Sequence, residues 1–359
     1  MDVYVLNRNL EFIDICDDYI SIIWTPRYFK YGDFELYLPA TDKNISLLKA
    51  DNYVVRDKDI SNDGSSVIYK NVMIIEKIQI VTDAEEGNHL IVTGRCLKSI
   101  LARRIIWQQT TLNGLVETAL RSIITDNAIN PSIASRKIDN LQLAATKGFT
   151  DKISRQVTGD NLYEFVVEVC TTYEIGWDIF IQDDIFKVHF YKGENRSYAQ
   201  NINPYVIFSA EYDNLLSTEY TYDKTNYKNV ALVAGEGEGL ARKTAVAGEA
   251  SGLDRYEVYV DSRNSSSNDG TISESEYTSL LIEEGNETLK DDANTITETI
   301  DGQVEPSGNY IYEQDYFLGD IVEVINEHGI SATSRIIEVI ESEDETGPSI
   351  IPTFGTWEV

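Results

Sequence analysis

The chain has 359 residues, long enough for two or three domains with separate cores, and its 42% hydrophobic and 25% charged content excludes bulk disorder. A formal net charge of −30 excludes sequence-specific nucleic-acid binding, which needs Lys and Arg to displace counterions from phosphates. No apolar run approaches the roughly 20 residues that span a bilayer, and MDVYVLNRNLEF lacks the basic start and apolar stretch of a signal peptide, so a cytosol-like origin without membrane insertion is expected.

The first hundred residues read as short strands. VYVL (3–6) and LEFIDI (10–15) flank a hairpin loop at Asn7-Arg8-Asn9, and SIIWTPR (21–27) ends at Pro26, which cannot donate to a ladder. DFELYLP (33–39) alternates, with Phe34, Leu36 and Leu38 on one face. NYVVRD (52–57), a single long run at 66–82 and HLIVTGR (89–95) continue the pattern, whose spacing predicts a barrel or sandwich. The period then changes. Leu115, Val116, Ala119, Leu120, Ile123 and Ile124 predict one amphipathic helix, and Leu162, Phe165, Val166, Val169, Cys170 and Tyr173 a second. A hairpin follows, 176–182 and 185–191.

Strands resume at 206–212, 217–223, 229–235 and 254–261. Residues 235–253, rich in Gly and Ala, predict a mobile loop or hairpin tip, and SRNSSSNDG (262–270) a linker-like turn cluster. Ser273 and Glu276 form a capping box for a helix running toward Thr297, with Gly285 a weak point inside it. The last sixty residues return to strands around a turn at Glu327-His328-Gly329. From Gly270 onward 21 acidic residues face two basic ones, Lys290 and Arg335. The simplest reading of that charge is solubility.

Candidate chemistry is sparse. His89, His189 and His328 are scattered, and no metal, triad, Walker or CxxC spacing occurs. Cys16, Cys96 and Cys170 read as buried free thiols of a reducing compartment. AGEGEGLAR (234–242) follows a strand but is GxGxG, with Glu236 and Glu238 where phosphate charge would sit, so a flexible hairpin is the better reading. DKDISNDG (57–64) resembles half a calcium loop through Asp57, Asp59 and Ser61, yet Asn62 and Ile68 stand where Gly and Glu are required. Paired acids such as Asp17-Asp18 and Glu283-Glu284 could suggest a glycosidase, but such pairs arise by chance among 60 acidic residues. No catalytic, cofactor-binding or metal-binding residue is assigned, no cofactor is expected, and the chain is read as a non-enzyme.

Several segments together resemble one family. WTPRYFKYGDFELYLP (24–39) resembles the W-x-x-R…GDFEL-x-LP signature near the start of tail hub, or baseplate-hub, proteins of long-tailed phages and prophages, also called tail-associated proteins. Trp24, Arg27, Gly32, Asp33, Phe34, Glu35, Leu36 and Pro39 carry the match. VTGRCLKSILARRII (92–106) is similar to the segment closing the first barrel, TGDNLYEFVVEVCTTYEIGWDI (158–179) to a middle-domain helix and hairpin, and VAGEGEGLAR (233–242) to a G-x-G-x-x-R segment. DYFLGDIVEV (315–324) with SRIIEVIE (334–341) is similar to the last barrel, where a Leu-Gly-Asp turn enters a strand.

The resemblance implies a β-dominated α+β fold: two tube-type β-barrels with helical and α+β inserts. It divides the chain into a first barrel (1–105), an inserted α+β domain (106–200), strands shared between the barrels with the Gly-rich loop (201–270), a helical insert (271–300) and completion of the second barrel (301–359). Trp24 and Phe34 are expected in the core. Three chains would form a homotrimeric ring, pseudo-sixfold against the tail tube. The implied partners are the distal tail or tail tube protein, a tail fibre or tip protein, and tape-measure protein or DNA passing along an acidic lumen. The implied place is the virion tail, assembled in the bacterial host cytoplasm. A receptor- or carbohydrate-binding tail-tip module is the alternative, and a peptidoglycan hydrolase a third; the hydrolase would need a deep cleft holding a carboxyl of raised pKa.

Overall fold

The computed structural model describes residues 1–359 apart from 63, 84–86, 268–269, 292, 306–307 and 358–359. Its strands form one large sheet and three small ones. Four α-helices are present among the described residues: α1 (Asp42–Leu47), α2 (Val116–Ile124), α3 (Leu162–Thr172) and α4 (Glu274–Lys290). None is long and apolar enough to cross a membrane.

The large sheet has thirteen strands and draws on both ends of the chain. Its N-terminal part runs Ser21–Thr25, Asp33–Pro39, Gly87–Cys96, Met73–Asp83, Tyr53–Arg56, Val3–Leu6 and Phe12–Cys16. The alternation in Asp33–Pro39 is as expected, with Phe34, Leu36 and Leu38 buried against Trp24, Val54 and Val92. Each such side chain removed from water is worth about 2–3 kcal/mol. Its C-terminal part joins Leu215–Asp223, Thr297–Val304, Gly347–Trp357 and Ser331–Asp344, with Ile321–Ile325 and Ile207–Ser209 beside the last. Phe208, Tyr316, Val322, Ile336 and Phe354 fill that core.

The two parts meet where Ser331–Asp344 pairs with Ser21–Thr25, opposing Trp24 to Glu341 and Ile22 to Glu343. The ladder runs on from Phe12–Cys16 at one end to Leu215–Asp223 at the other.

The middle block, built from α2, α3 and the hairpin Gly176–Gln182/Ile185–Tyr191 around Trp177, Phe165 and Phe190, shares one core with Leu6, Tyr53, Val55 and Ile74 of the large sheet. The helical stripes expected at 115–124 and 162–173 supply it, except that Leu115 ends the strand Thr110–Leu115 and is exposed. Three strands there carry no clean period and were not anticipated: Thr110–Leu115 pairs with Lys152–Val157, and Leu141–Leu143 joins the hairpin edge.

Several expectations need correction. The run at 66–82 is two strands. Val67–Tyr69 pairs with Ile60–Asn62 and the middle-block hairpin, while Met73–Asp83 lies in the large sheet. The break falls at Asn71, whose φ of 47° turns the chain out of one sheet before it enters the other. Residues 235–253 do form a hairpin tip, but Thr244–Ala247 is its returning strand, paired with Val230–Ala234. With Glu257–Asp261 these make a three-stranded sheet under α4.

Residues 262–267 are not a linker, because Ser262, Ser265 and Ser267 are buried. The capping box forms as read, but α4 stops at Lys290, and Thr297–Val304 pairs with Leu215–Asp223. Gly285 is no weak point. A Cβ there would strike Ala247 and Val233, so glycine lets the helix lie close on the sheet.

Candidate functional site

The motif segment 24–39 lies at the seam between the two parts of the large sheet and the middle block. Arg27 donates to Asp33 and to Glu338 of the strand Ser331–Asp344, and also to the Tyr31 carbonyl at 3.1 Å. Backbone bonds extend the pairing: the Tyr28 N–H donates to the Ile337 carbonyl at 2.8 Å and the Val339 N–H to the Pro26 carbonyl at 3.2 Å. Gly32 sits where a Cβ would strike the Thr25 carbonyl. Trp24 and Phe34 are in the core as expected, with ring centroids 5.3 Å apart, and Glu35 is exposed.

Next to it lies a buried ion cluster. Arg56, fully buried, donates to Asp59 at 2.5 Å and to Glu341 at 2.7 Å, and its guanidinium stands 5.1 Å over the Trp24 ring. Lys58 donates to the other Glu341 oxygen and stands 3.3 Å from Glu313. Burial opposes the charge on Glu341, yet Arg56 and Lys58 outweigh it and hold the carboxyl below its ordinary range. Within the calcium-like segment, Asp59 is already engaged. Asp59 is buried and taken by Arg56 and by Asn71, whose amide donates at 2.6 Å.

Tyr28 is the point where three blocks touch. A Cβ on Gly176 of the middle hairpin or on Gly319 of the Leu-Gly-Asp turn would overlap its ring. Its hydroxyl lies 3.3 Å from the Glu174 and Tyr191 carbonyls and from the Gly193 N–H. Arg335 covers the ring at 5.5 Å and reaches Glu174 at 3.1 Å. Lys98, also buried, donates to the carbonyls of Arg27, Tyr28 and Lys30 and thereby clamps the loop; burial lowers its pKa.

Asp320 completes the turn, accepting from the Glu194 and Phe317 N–H groups and from Arg196 at 2.7 Å.

Beside this seam opens a pocket of about 560 Å³. Asp178, Phe180, His189 and Tyr191 line one wall, and Arg196, Phe317 and Asp320 the other. His189 stacks on Tyr191 with centroids 5.5 Å apart. Burial raises the Asp178 carboxyl, opposed by Lys98, and lowers His189. Sequence reasoning missed Asp178, whose only signal was a polar residue in an otherwise apolar strand. Glycoside hydrolysis needs a second working carboxyl. The two others in this pocket, Glu194 and Asp320, are both tied to Arg196.

The remaining candidates serve structure. Arg242 of the Gly-rich hairpin turns back to the Gly235 and Ala234 carbonyls at 2.8 and 2.6 Å, and a Cβ on Gly235 would strike the Tyr277 hydroxyl. Glu236 accepts from the Ser267 N–H, so this hairpin is tied down. Glu284 accepts from Ser262 and Ser265, while Asp17 and Asp18 face Lys43 and Asn44. Cys16, Cys96 and Cys170 are free and buried, as expected, and burial raises all three thiols. His89 stacks on Tyr37, and His328 lies exposed 3.8 Å from Glu327.

Arg27, Tyr28 and Gly32 of the motif segment therefore hold a seam together. A family model for siphovirus ReqiPepy6 Gp37-like proteins matches residues 2–356. The chain belongs to that family. It is a phage tail protein of the siphovirus or prophage type, and the expected resemblance is shown over the whole chain.

Among solved structures, this siphovirus tail protein is similar to the 43 kDa tail protein of prophage MuSo2 from Shewanella oneidensis, with a TM-score of 0.57 at 12% identity, covering 99% of this chain and 98% of that one. It is also similar to a tail protein from Neisseria meningitidis MC58 (0.55, 14%, 99% and 96%) and to prophage tail protein gp18 of Listeria monocytogenes EGD-e (0.53, 12%, 98% and 94%). These likenesses show a shared tail-protein fold. No curated protein matches in sequence.

Proposed function

We propose that this tail protein is the hub of the siphophage or prophage tail: a homotrimeric, non-enzymatic ring at the distal end of the tail tube that links the tube to the tip or fibres. One observation carries the reading. Two strand blocks separated by helical inserts share a single ladder, and among the described residues both of its end strands lack an outer partner and carry exposed apolar side chains. Phe12 and Ile13 are exposed on one terminal strand, Leu216 and Tyr222 on the other. Open apolar edges favour pairing with another chain, and different edges at the two ends favour a head-to-tail ring.

In this reading the blocks 1–105 and 301–359, with strands from 201–270, form two tube-type barrels per chain, and 106–200 and 271–300 are inserts. Three chains then present six barrels to the tail tube protein. Much of the acidic surface faces the lumen, where negative walls let DNA or tape-measure protein pass without sticking. Light scattering coupled to size exclusion tests the assembly. A mass of three chains supports the ring. A monomer that stays monomeric when mixed with the tail tube protein overturns it.

The alternative, a receptor- or carbohydrate-binding tail-tip module, would place aromatic side chains in an open groove and not in seams. Trp24, Trp177 and Tyr28 are all in seams or cores, which favours the hub as the main role; Trp107, by contrast, stands exposed at a pocket.

A further inference from the structure

Trp107 differs from Trp24 and Trp177. Those two are buried, with their indole N–H groups donating to the Asn71 and Phe29 carbonyls, whereas Trp107 is 52% exposed. It stands at the mouth of a pocket of about 240 Å³ whose lining, apart from the indole, is polar: Gln108, Thr110, Asp126, Asn130 and Arg136 are among its walls. Hydrophobic burial does not explain an exposed indole facing amides, hydroxyls and a guanidinium.

The backbone that presents this indole is held from two sides. The Ile106 N–H donates to the Asp160 carbonyl at 2.8 Å, and the Ile106 carbonyl accepts from the Gly159 N–H at 2.8 Å. The Trp107 N–H donates to the Asn127 side chain at 3.0 Å. Asn127 reaches that position because α2 runs into a π-helical turn, Thr125–Ile129, which widens the helix end and places Asp126 and Asn130 at the pocket. Such turns recur at functional sites. The platform is therefore fixed before any ligand arrives, which lowers the ordering cost of binding.

Charge identifies the ligand. From Arg95 to Arg155 ten basic residues stand against four acidic ones, in a chain whose net charge is −30. Arg136 lies 4.8 Å over the Trp107 ring, and Arg104 donates to the Arg136 carbonyl at 2.6 Å. Arg103, Arg104 and Arg136 are left without a carboxylate partner among the described residues. Burial together with Arg136 and Arg103 lowers the Arg104 pKa, as expected for cations held close without compensation.

We infer that this pocket binds one residue of an anionic carbohydrate, a pyranose bearing a carboxylate or phosphate, with its apolar ring face on Trp107, its acidic group on Arg136 and its hydroxyls on Gln108, Asn130 and Asp126. The pocket is smaller than the ~300–1,000 Å³ usual for larger ligands. A stacked base of single-stranded nucleic acid would also use an aromatic and an arginine. One exposed indole in a small amide-lined pocket, on a protein that repels polyanions overall, favours the sugar. The site lies within one chain and stands independently of ring assembly.

The test is a binding panel on the purified full-length protein. It uses oligosaccharides carrying glucuronate, galacturonate, sialate or sugar phosphate, each beside its neutral counterpart, with an oligo-dT control, read by calorimetry. At least one acidic glycan is expected to bind at least tenfold more tightly than its neutral counterpart. Trp107→Ala is expected to weaken that binding at least tenfold with an unchanged melting curve, and Gln108→Ala, on the exposed rim, severalfold. The inference is overturned if no acidic glycan in the panel binds, if neutral counterparts bind equally, if binding survives both substitutions, or if oligo-dT is preferred.

Discussion

The ring of Tyr28 fills a slot bounded by Gly319, so a residue in the first strand block is held by a turn almost three hundred positions later. Gly176 of the middle hairpin forms another wall. The sixteen-residue segment 24–39 is thus the socket in which three blocks meet, and its chemistry is packing and charge pairing.

Gly176→Ala tests that socket. Gly176 has no positive φ that would strain alanine, so the substitution adds one methyl into the Tyr28 ring and little else. Overpacking of this kind costs about 1–3 kcal/mol. Urea unfolding should show a loss in that range, and Tyr28→Ala in the same background should restore space and give a sub-additive effect.

Glu341→Gln should cost about 3–5 kcal/mol, the usual penalty for removing one partner of a buried ion cluster, because Arg56 and Lys58 keep their charges. The folded carboxyl is held below its ordinary 4.5, so its contribution is present above pH 4.5 and is lost as pH falls through the folded value. Melting temperatures of the wild type should therefore drop on acidification below about pH 4.5. Part of that drop should be absent in Glu341→Gln.

Glu287 behaves with the opposite sign. It lies buried on α4, accepts from Arg155 at 2.6 Å, and leaves Oε1 without a hydrogen-bond partner. Burial, with Glu168, Glu283 and Glu284 nearby, outweighs Arg155 and pushes its pKa up from 4.5 to about 7. The folded state then holds a proton that the unfolded chain has released, so this group destabilises the fold progressively as pH rises from 4.5 to 7. Glu287→Gln should remove that slope and leave the protein at least as stable as wild type at pH 8. A steeper loss of stability in the variant above pH 7 would contradict the assignment.

Assembly offers a separate readout. Phe12→Glu with Ile13→Glu puts charge on an exposed terminal strand without touching a core side chain. If the proposed trimer forms, light scattering should show its mass falling to that of one chain while the melting temperature of the dilute protein stays unchanged.

Much of this was legible in the chain itself. Period-two alternation at 33–39, period-3.6 stripes at 115–124 and 162–173, and the Ser273–Glu276 capping box each encode a local structure, because local sterics and one buried face suffice to set them. The motif at 24–39 was legible as a family mark.

Three things were decided only by tertiary structure. The split of 66–82 into two sheets depends on Asn71 turning between partners distant in sequence. The seam depends on Glu341, Gly319 and Arg335 arriving beside Trp24 and Tyr28, and no local pattern records which strand will lie beside which. The exposure of Trp107 beside Arg136, against the burial of Trp24 and Trp177, is likewise a matter of which neighbours cover a side chain. Periodicity specifies that a face will be buried; long-range pairing determines what buries it, and with that where charge and open surface remain.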